Sequence, residues 1–147
     1  MVKARVFLLD YRCLNELTMK KILVIDDEAI VRSSCERTLG PEGYDIKSVS
    51  SGIEGIELLE KESFSLVLLD LKMPDMDGVE VLNKIKATWP ETKVVMITGY
   101  STVDTAVQAL RLGAFNFVEK PFTPDMLISA VKEVFGESDD NSKQITK

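Results

Sequence analysis

Four short apolar runs stand out along the chain: Ile22-Leu23-Val24-Ile25, Leu66-Val67-Leu68-Leu69, Val94-Val95-Met96-Ile97 and Phe115 to Val118. They do not alternate with polar residues, which is the pattern of strands covered on both faces, as in a parallel sheet. Tyr44 to Val49 is a fifth, weaker strand candidate. Between these runs the apolar positions recur at helical spacing. Glu28 to Leu39 places Val31 and Cys35 on one face and is interrupted by Gly40-Pro41. Ser51 to Glu62 begins with Ser51 and Glu54 in capping-box spacing and carries Ile53, Ile56 and Leu59 as its apolar stripe. Gly78 to Trp89 turns Val81, Leu82 and Ile85 inward, with Asp77 and Glu80 as capping residues and Pro90 beyond its end. Ser101 to Leu112 spaces Val103, Ala106, Val107 and Leu110 helically and stops at Gly113. Pro124 to Phe135 has Thr123 as cap, Pro124 at the first helical position, and Leu127, Ile128, Val131 and Val134 facing inward.

Strand and helix thus alternate five times. Parallel strands joined by right-handed crossovers give an α/β sandwich with helices on both faces of the sheet. The 147 residues suffice for one such domain. Residues 19–136 are expected to form it, with 1–18 as an extension and 137–147 as a polar tail or linker stub. The extension contains Val6-Phe7-Leu8-Leu9, too short for a signal-peptide core, and Met19-Lys20-Lys21-Ile22 resembles a second chain start. The expectation is that 1–18 is an appendage.

Composition narrows the function. The net charge of −6 argues against direct nucleic-acid binding, since phosphate backbones select Lys and Arg. No apolar run approaches the roughly 20 residues of a membrane span. Cys13 and Cys35 have neither metal spacing nor the number for a disulfide framework, consistent with a reduced, cytoplasmic protein. There is no histidine. Any chemistry within this chain therefore runs on carboxylates, hydroxyls, Lys and backbone.

That chemistry collects where the strands end. The first strand runs into Asp26-Asp27, the third into Asp70, the fourth into Thr98 and the fifth into Lys120. The carboxyl edge of an open parallel sheet is where ligands bind. Asp27 or Thr98 alone would read as a helix cap. Clustered Asp26, Asp27 and Asp70 would repel one another unless a cation sat among them. An all-oxygen donor set suits Mg²⁺. A carboxylate, a hard cation, a hydroxyl and an ammonium around one point suit phosphoryl transfer.

Asp26-Asp27, then Leu69-Asp70-Leu71-Lys72-Met73-Pro74-Asp75-Met76-Asp77-Gly78, then Ile97-Thr98-Gly99, then Phe117-Val118-Glu119-Lys120-Pro121-Phe122 resemble the receiver domain of two-component response regulators. The resemblance spans about residues 20 to 136. It implies a flavodoxin-like sheet of order 2-1-3-4-5 with five helices, and a signalling switch whose only catalysis is on its own aspartate. It implies that Asp70 is the phosphoacceptor. Asp26, Asp27, Asp70 and the backbone carbonyl of Lys72 would hold Mg²⁺. Thr98 and Lys120 would contact phosphoryl oxygens, and the Lys120-Pro121 peptide would be cis. Thr98 and Phe117 would form the switch, working through the surface of the fourth helix, fifth strand and fifth helix, where Gln108, Arg111, Asn116 and Glu119 are its exposed residues. Glu28, Lys72 and Tyr100 occupy positions that vary in the family and bear on phosphate lifetime.

The implied partners are a sensor histidine kinase or phosphotransfer protein, a downstream effector or a missing output domain, and a homodimer that forms on phosphorylation. Both a stand-alone receiver and a piece of a longer regulator fit the polar tail. A haloacid-dehalogenase-type hydrolase would need a second Asp where Lys72 stands. A flavin binder would need a Ser/Thr/Gly-rich loop where Asp26-Asp27-Glu28 stands.

Overall fold

Five parallel strands pair in the order β2-β1-β3-β4-β5. They are β1 (Lys21–Ile25), β2 (Asp45–Val49), β3 (Leu66–Asp70), β4 (Lys93–Thr98) and β5 (Asn116–Glu119), and each is followed by a helix: α1 (Ala29–Leu39), α2 (Gly52–Lys61), α3 (Gly78–Thr88), α4 (Val103–Arg111) and α5 (Pro124–Val134). The computed structural model describes residues 19–99 and 103–136. The predicted extension 1–18, the tail 137–147, and Tyr100 and Ser101 at the entry to the fourth helix lie outside the described residues.

The continuous apolar runs follow from burial on both faces. Leu23, Ile25, Val67, Leu69, Val94 and Met96 face α2, α3 and α4, meeting Ile56, Leu59, Val81, Leu82, Ile85 and Ala109. Their neighbours Ile22, Val24, Leu66, Leu68, Val95, Ile97 and Val118 face α1 and α5, meeting Cys35, Leu39, Leu127, Ala130 and Val131. Each such side chain contributes about 1.5–3 kcal/mol on burial. No described helix is long and apolar enough to cross a membrane.

The helix ends follow their residues. The Glu54 N–H donates to Ser51 Oγ at 3.1 Å, that of Val79 to Asp77 Oδ1 at 3.1 Å, and that of Met126 to Thr123 Oγ1 at 3.2 Å. The expected capping box at α2 is only half formed, because the Glu54 carboxylate accepts from the N–H and hydroxyl of Ser50 instead of reaching Ser51. Four expected buried residues are exposed. Ile53 is 51% exposed because it starts α2 on the solvent side of the stripe carried by Ile56 and Leu59. On α4 the packing residue is Ala109, while Val107 and Leu110 face outward. Phe115 precedes the fifth strand rather than opening it, and is also exposed. In both α4 and the approach to β5, an apolar residue at the rim of the sheet finds no second layer to cover it.

Gly78 shows how tightly the β3–α3 loop is packed. A Cβ there would lie 2.5 Å from the Asp70 carbonyl oxygen and 2.6 Å from Leu71 Cα. Both are backbone atoms, which cannot swing aside. Gly78→Ala is expected to destabilise the domain by about 2–4 kcal/mol, read from the urea unfolding midpoint.

Candidate functional site

Sheet register brings the polar strand ends together. Ile25 pairs with Leu69, so the following residues, Asp26 and Asp70, leave β1 and β3 side by side. Asp70 pairs with Ile97 across β4, which sets Thr98 one step beyond it. Thr98 in turn pairs with Glu119, and the Lys120 N–H donates to the Thr98 carbonyl at 2.8 Å. Residues up to 94 positions apart in sequence thus meet at one edge.

Carboxylate oxygens of Asp26, Asp27 and Asp70 all lie within 4.8 Å of one another, the only such acidic group of three among the described residues. Asp26 and Asp70 are buried, at 1% and 4% exposure, and Asp27 opens to solvent. Lys120 Nζ reaches into the cluster, 3.0 Å from Asp26 Oδ2, 3.6 Å from Asp70 Oδ2 and 2.7 Å from Glu28 Oε1. The Glu28 N–H donates to Asp26 Oδ1 at 2.9 Å, and the Lys72 N–H to Asp70 Oδ1 at 3.4 Å. The Arg32 guanidinium donates to the Asp26 backbone carbonyl at 2.8 Å. Thr98 is fully buried at the end of β4. The Lys120-Pro121 peptide is cis, as expected.

Burial dominates the electrostatics. It raises the Asp70 carboxyl to about 6, with the Asp26 charge adding to the shift and Lys120 and the Lys72 N–H opposing it. Burial also raises Asp26, against the Glu28 N–H and Lys120. For Lys120, burial works against the ammonium, but Glu28, Asp26 and Asp70 outweigh it and hold the ammonium above the ordinary lysine range.

These residues fit a hard divalent cation. Asp26 Oδ2 is buried and has a charge partner in Lys120 at 3.0 Å but no hydrogen bond of good direction. An unsatisfied buried carboxylate oxygen, with two more carboxylates within 4.8 Å and only oxygen donors between them, is a donor set for Mg²⁺.

The remaining expected residues lie on α4 and β5. Phe117 is half-buried and packs on the α2–α4 side of the core. Gln108, Arg111 and Glu119 are exposed. Asn116 is not: it is half-buried, and its amide donates to Glu133 Oε1 at 2.9 Å, which ties β5 to α5. Three further contributions were not foreseen. Glu28 bonds Lys120 directly. Arg32 ties the start of α1 to the β1–α1 loop through the Asp26 carbonyl, a side-chain bond to backbone that no spacing of residue types announces. Asp75 accepts from the N–H groups of Gly52 and Ile53 at 3.4 and 3.2 Å, clasping the β3–α3 loop to the start of α2. A contact 23 positions distant leaves no local trace in sequence.

Comparison with known proteins gives one consistent picture. Residues 22–132 match the family model described as the response regulator receiver domain. The response regulator protein PilR of Pseudomonas aeruginosa is 42% identical over 105 residues, which cover 71% of this chain and 24% of that protein. The sporulation initiation phosphotransferase F of Bacillus subtilis is 34% identical over 114 residues, covering 78% of this chain and 92% of that protein. The crystal structure of a CheY-like receiver domain protein from Methanospirillum hungatei superposes with a TM-score of 0.77 at 35% identity, covering 82% of this chain and 97% of that one. The chain therefore spans about a quarter of PilR and nearly the whole of the phosphotransferase.

Proposed function

This chain belongs to the response-regulator receiver family, whose role is phosphoacceptor signalling, and from that membership we propose that Asp70 is its phosphoacceptor in a Mg²⁺-dependent transfer. The observation that supports this best is the convergence of Asp26, Asp27, Asp70 and Lys120 on one sheet edge, with Asp70 buried but open to charge from both sides.

In the reaction, an Asp70 carboxylate oxygen forms a bond to phosphorus. The bond from phosphorus to the donor's leaving group breaks, and the leaving group takes the electron pair. Asp26 and Asp27, with Asp70 and the Lys72 carbonyl, would hold the Mg²⁺, which when bound offsets charge on the phosphoryl oxygens. Lys120 pairs with one of those oxygens and the Thr98 hydroxyl donates to another. The new group brings about −1.5 to −2 charges to the end of β4. Thr98 moves toward it, and Phe117 follows into the space vacated behind β4. That movement changes the α4–β5–α5 surface, where Gln108, Arg111 and Glu119 meet the downstream partner.

The donor is a sensor histidine kinase or a phosphotransfer protein, since this chain supplies no histidine of its own. The recipient of the signal is a separate effector or an output domain, and a homodimer formed on phosphorylation is a third use of the same surface. The protein works in the cytoplasm without contacting nucleic acid or membrane.

The test is intact mass after incubation with acetyl phosphate. A single phosphoryl adduct that requires Mg²⁺ supports the reading. No adduct in the presence of Mg²⁺ would contradict it. Lys120→Ala is expected to slow adduct formation on the order of 100-fold at saturating Mg²⁺, as the loss of a fixed charge aimed at the transferring group does elsewhere. An unchanged rate would remove Lys120 from the chemistry.

A further inference from the structure

The Lys120 ammonium lies closer to two other carboxylates than to the acceptor. Glu28 Oε1 is 2.7 Å away and Asp26 Oδ2 3.0 Å, whereas Asp70 Oδ2 is at 3.6 Å. Asp26 is fixed, with its side chain 1% exposed and its Oδ1 accepting from the Glu28 N–H. Glu28 differs. Its backbone is fixed on both sides, since its carbonyl accepts from Val31 and Arg32 at the start of α1. Its side chain is 54% exposed and stands at the mouth of the site. Lys120 is therefore held between a buried anion that stays and an exposed anion that can leave.

From this geometry we infer that Glu28 is a competitor for Lys120: it holds the ammonium at the rim of the site and yields it to the incoming phosphoryl group, so that this residue restrains the rate at which Asp70 is phosphorylated. The inference rests on the reading of Asp70 as acceptor. An ammonium has three donors and no acceptor, so every partner it keeps is one it does not offer to phosphate. The phosphoryl group, with about −1.5 to −2 charges against the single charge of Glu28, wins the exchange once in place. Before that, as the bond to phosphorus forms, the Glu28 pair has to be broken. A half-exposed ion pair is weak, and removing it is expected to speed the reaction by about two- to five-fold.

Removing a negative charge from the mouth of the site would also ease the approach of an anionic donor, whatever Lys120 does. A double-mutant cycle separates the two effects. The initial rate of adduct formation is measured by intact mass at saturating Mg²⁺ and subsaturating acetyl phosphate, from which acetate departs with the bonding electrons. The proteins are the wild type, Glu28→Gln, Lys120→Met and the double variant. Glu28→Gln is expected to react about two- to five-fold faster than the wild type, and the double variant no faster than Lys120→Met. Equal acceleration in both backgrounds would overturn the competition and leave donor repulsion as the cause. No acceleration in Glu28→Gln beside a reactive wild type would also overturn it, with the acceptor reading intact. A wild type that takes no phosphoryl group at all would remove both readings together.

Discussion

Asp70→Asn is expected to take no phosphoryl group from acetyl phosphate under the conditions that label the wild type. The amide nitrogen and oxygen keep nearly the shape of the carboxylate, so the site still folds, but the oxygen has lost the charge that makes it a nucleophile. No other described carboxylate replaces it. Asp27 is exposed and lacks Lys120 within ion-pair distance, and Asp26 is 1% exposed, with Oδ1 bonded to the Glu28 N–H and Oδ2 facing Lys120 as an ion pair only. The expected loss exceeds about 1000-fold, in line with removal of a covalent nucleophile. A wild-type level of adduct in Asp70→Asn would place the acceptor elsewhere.

The same substitution is expected to stabilise the metal-free protein at pH 7 by about 1–3 kcal/mol. The folded Asp70 carboxyl titrates at about 6, above its ordinary 3.8, chiefly because burial disfavours its charge. Between those values the folded state binds more protons than the unfolded chain. Stability therefore falls as pH rises from about 4 to 6, and the whole penalty is present at neutral pH. Two pKa units correspond to about 3 kcal/mol, a figure in which the opposing attraction of Lys120 is already included. Urea unfolding of the two proteins in chelator checks this. Their difference should be full at pH 7 and vanish near pH 4. With Mg²⁺ added the wild type should recover stability by mass action while Asp70→Asn gains less. A destabilised Asp70→Asn at pH 7 without metal would show that the carboxylate is not under strain.

These effects share one cause, the gathering of negative charge where strands stop, and much of that was legible in sequence. The unbroken runs Ile22–Ile25 and Leu66–Leu69 point to strands buried on both faces, and the polar residue after each run points to the ligand-binding edge. Register then does what sequence could only imply: Ile25 beside Leu69 sets Asp26 beside Asp70. The strand order itself came with the family resemblance, because the alternation of strands and helices is compatible with more than one order. Where sequence reading failed, a rim was the reason. Ile53, Val107, Leu110 and Phe115 have the periodicity of packed residues, but periodicity reports an angle around an element and not whether anything covers it. Asp75 and Glu28 illustrate the other gap. Their bonds to α2 and Lys120 join residues 22 to 92 positions apart, and such contacts exist only once the sheet is assembled.

The most direct test of the account is to locate the phosphorylated atom. The wild type is treated with acetyl phosphate and Mg²⁺, the acyl phosphate is reduced with borohydride, and tryptic peptides are sequenced by mass spectrometry. Phosphorylation of Asp70 leads to conversion of residue 70 to homoserine, in the peptide from Glu62 to Lys72, and is expected only when Mg²⁺ was present. Conversion at Asp26 or Asp27 with Asp70 intact would contradict it.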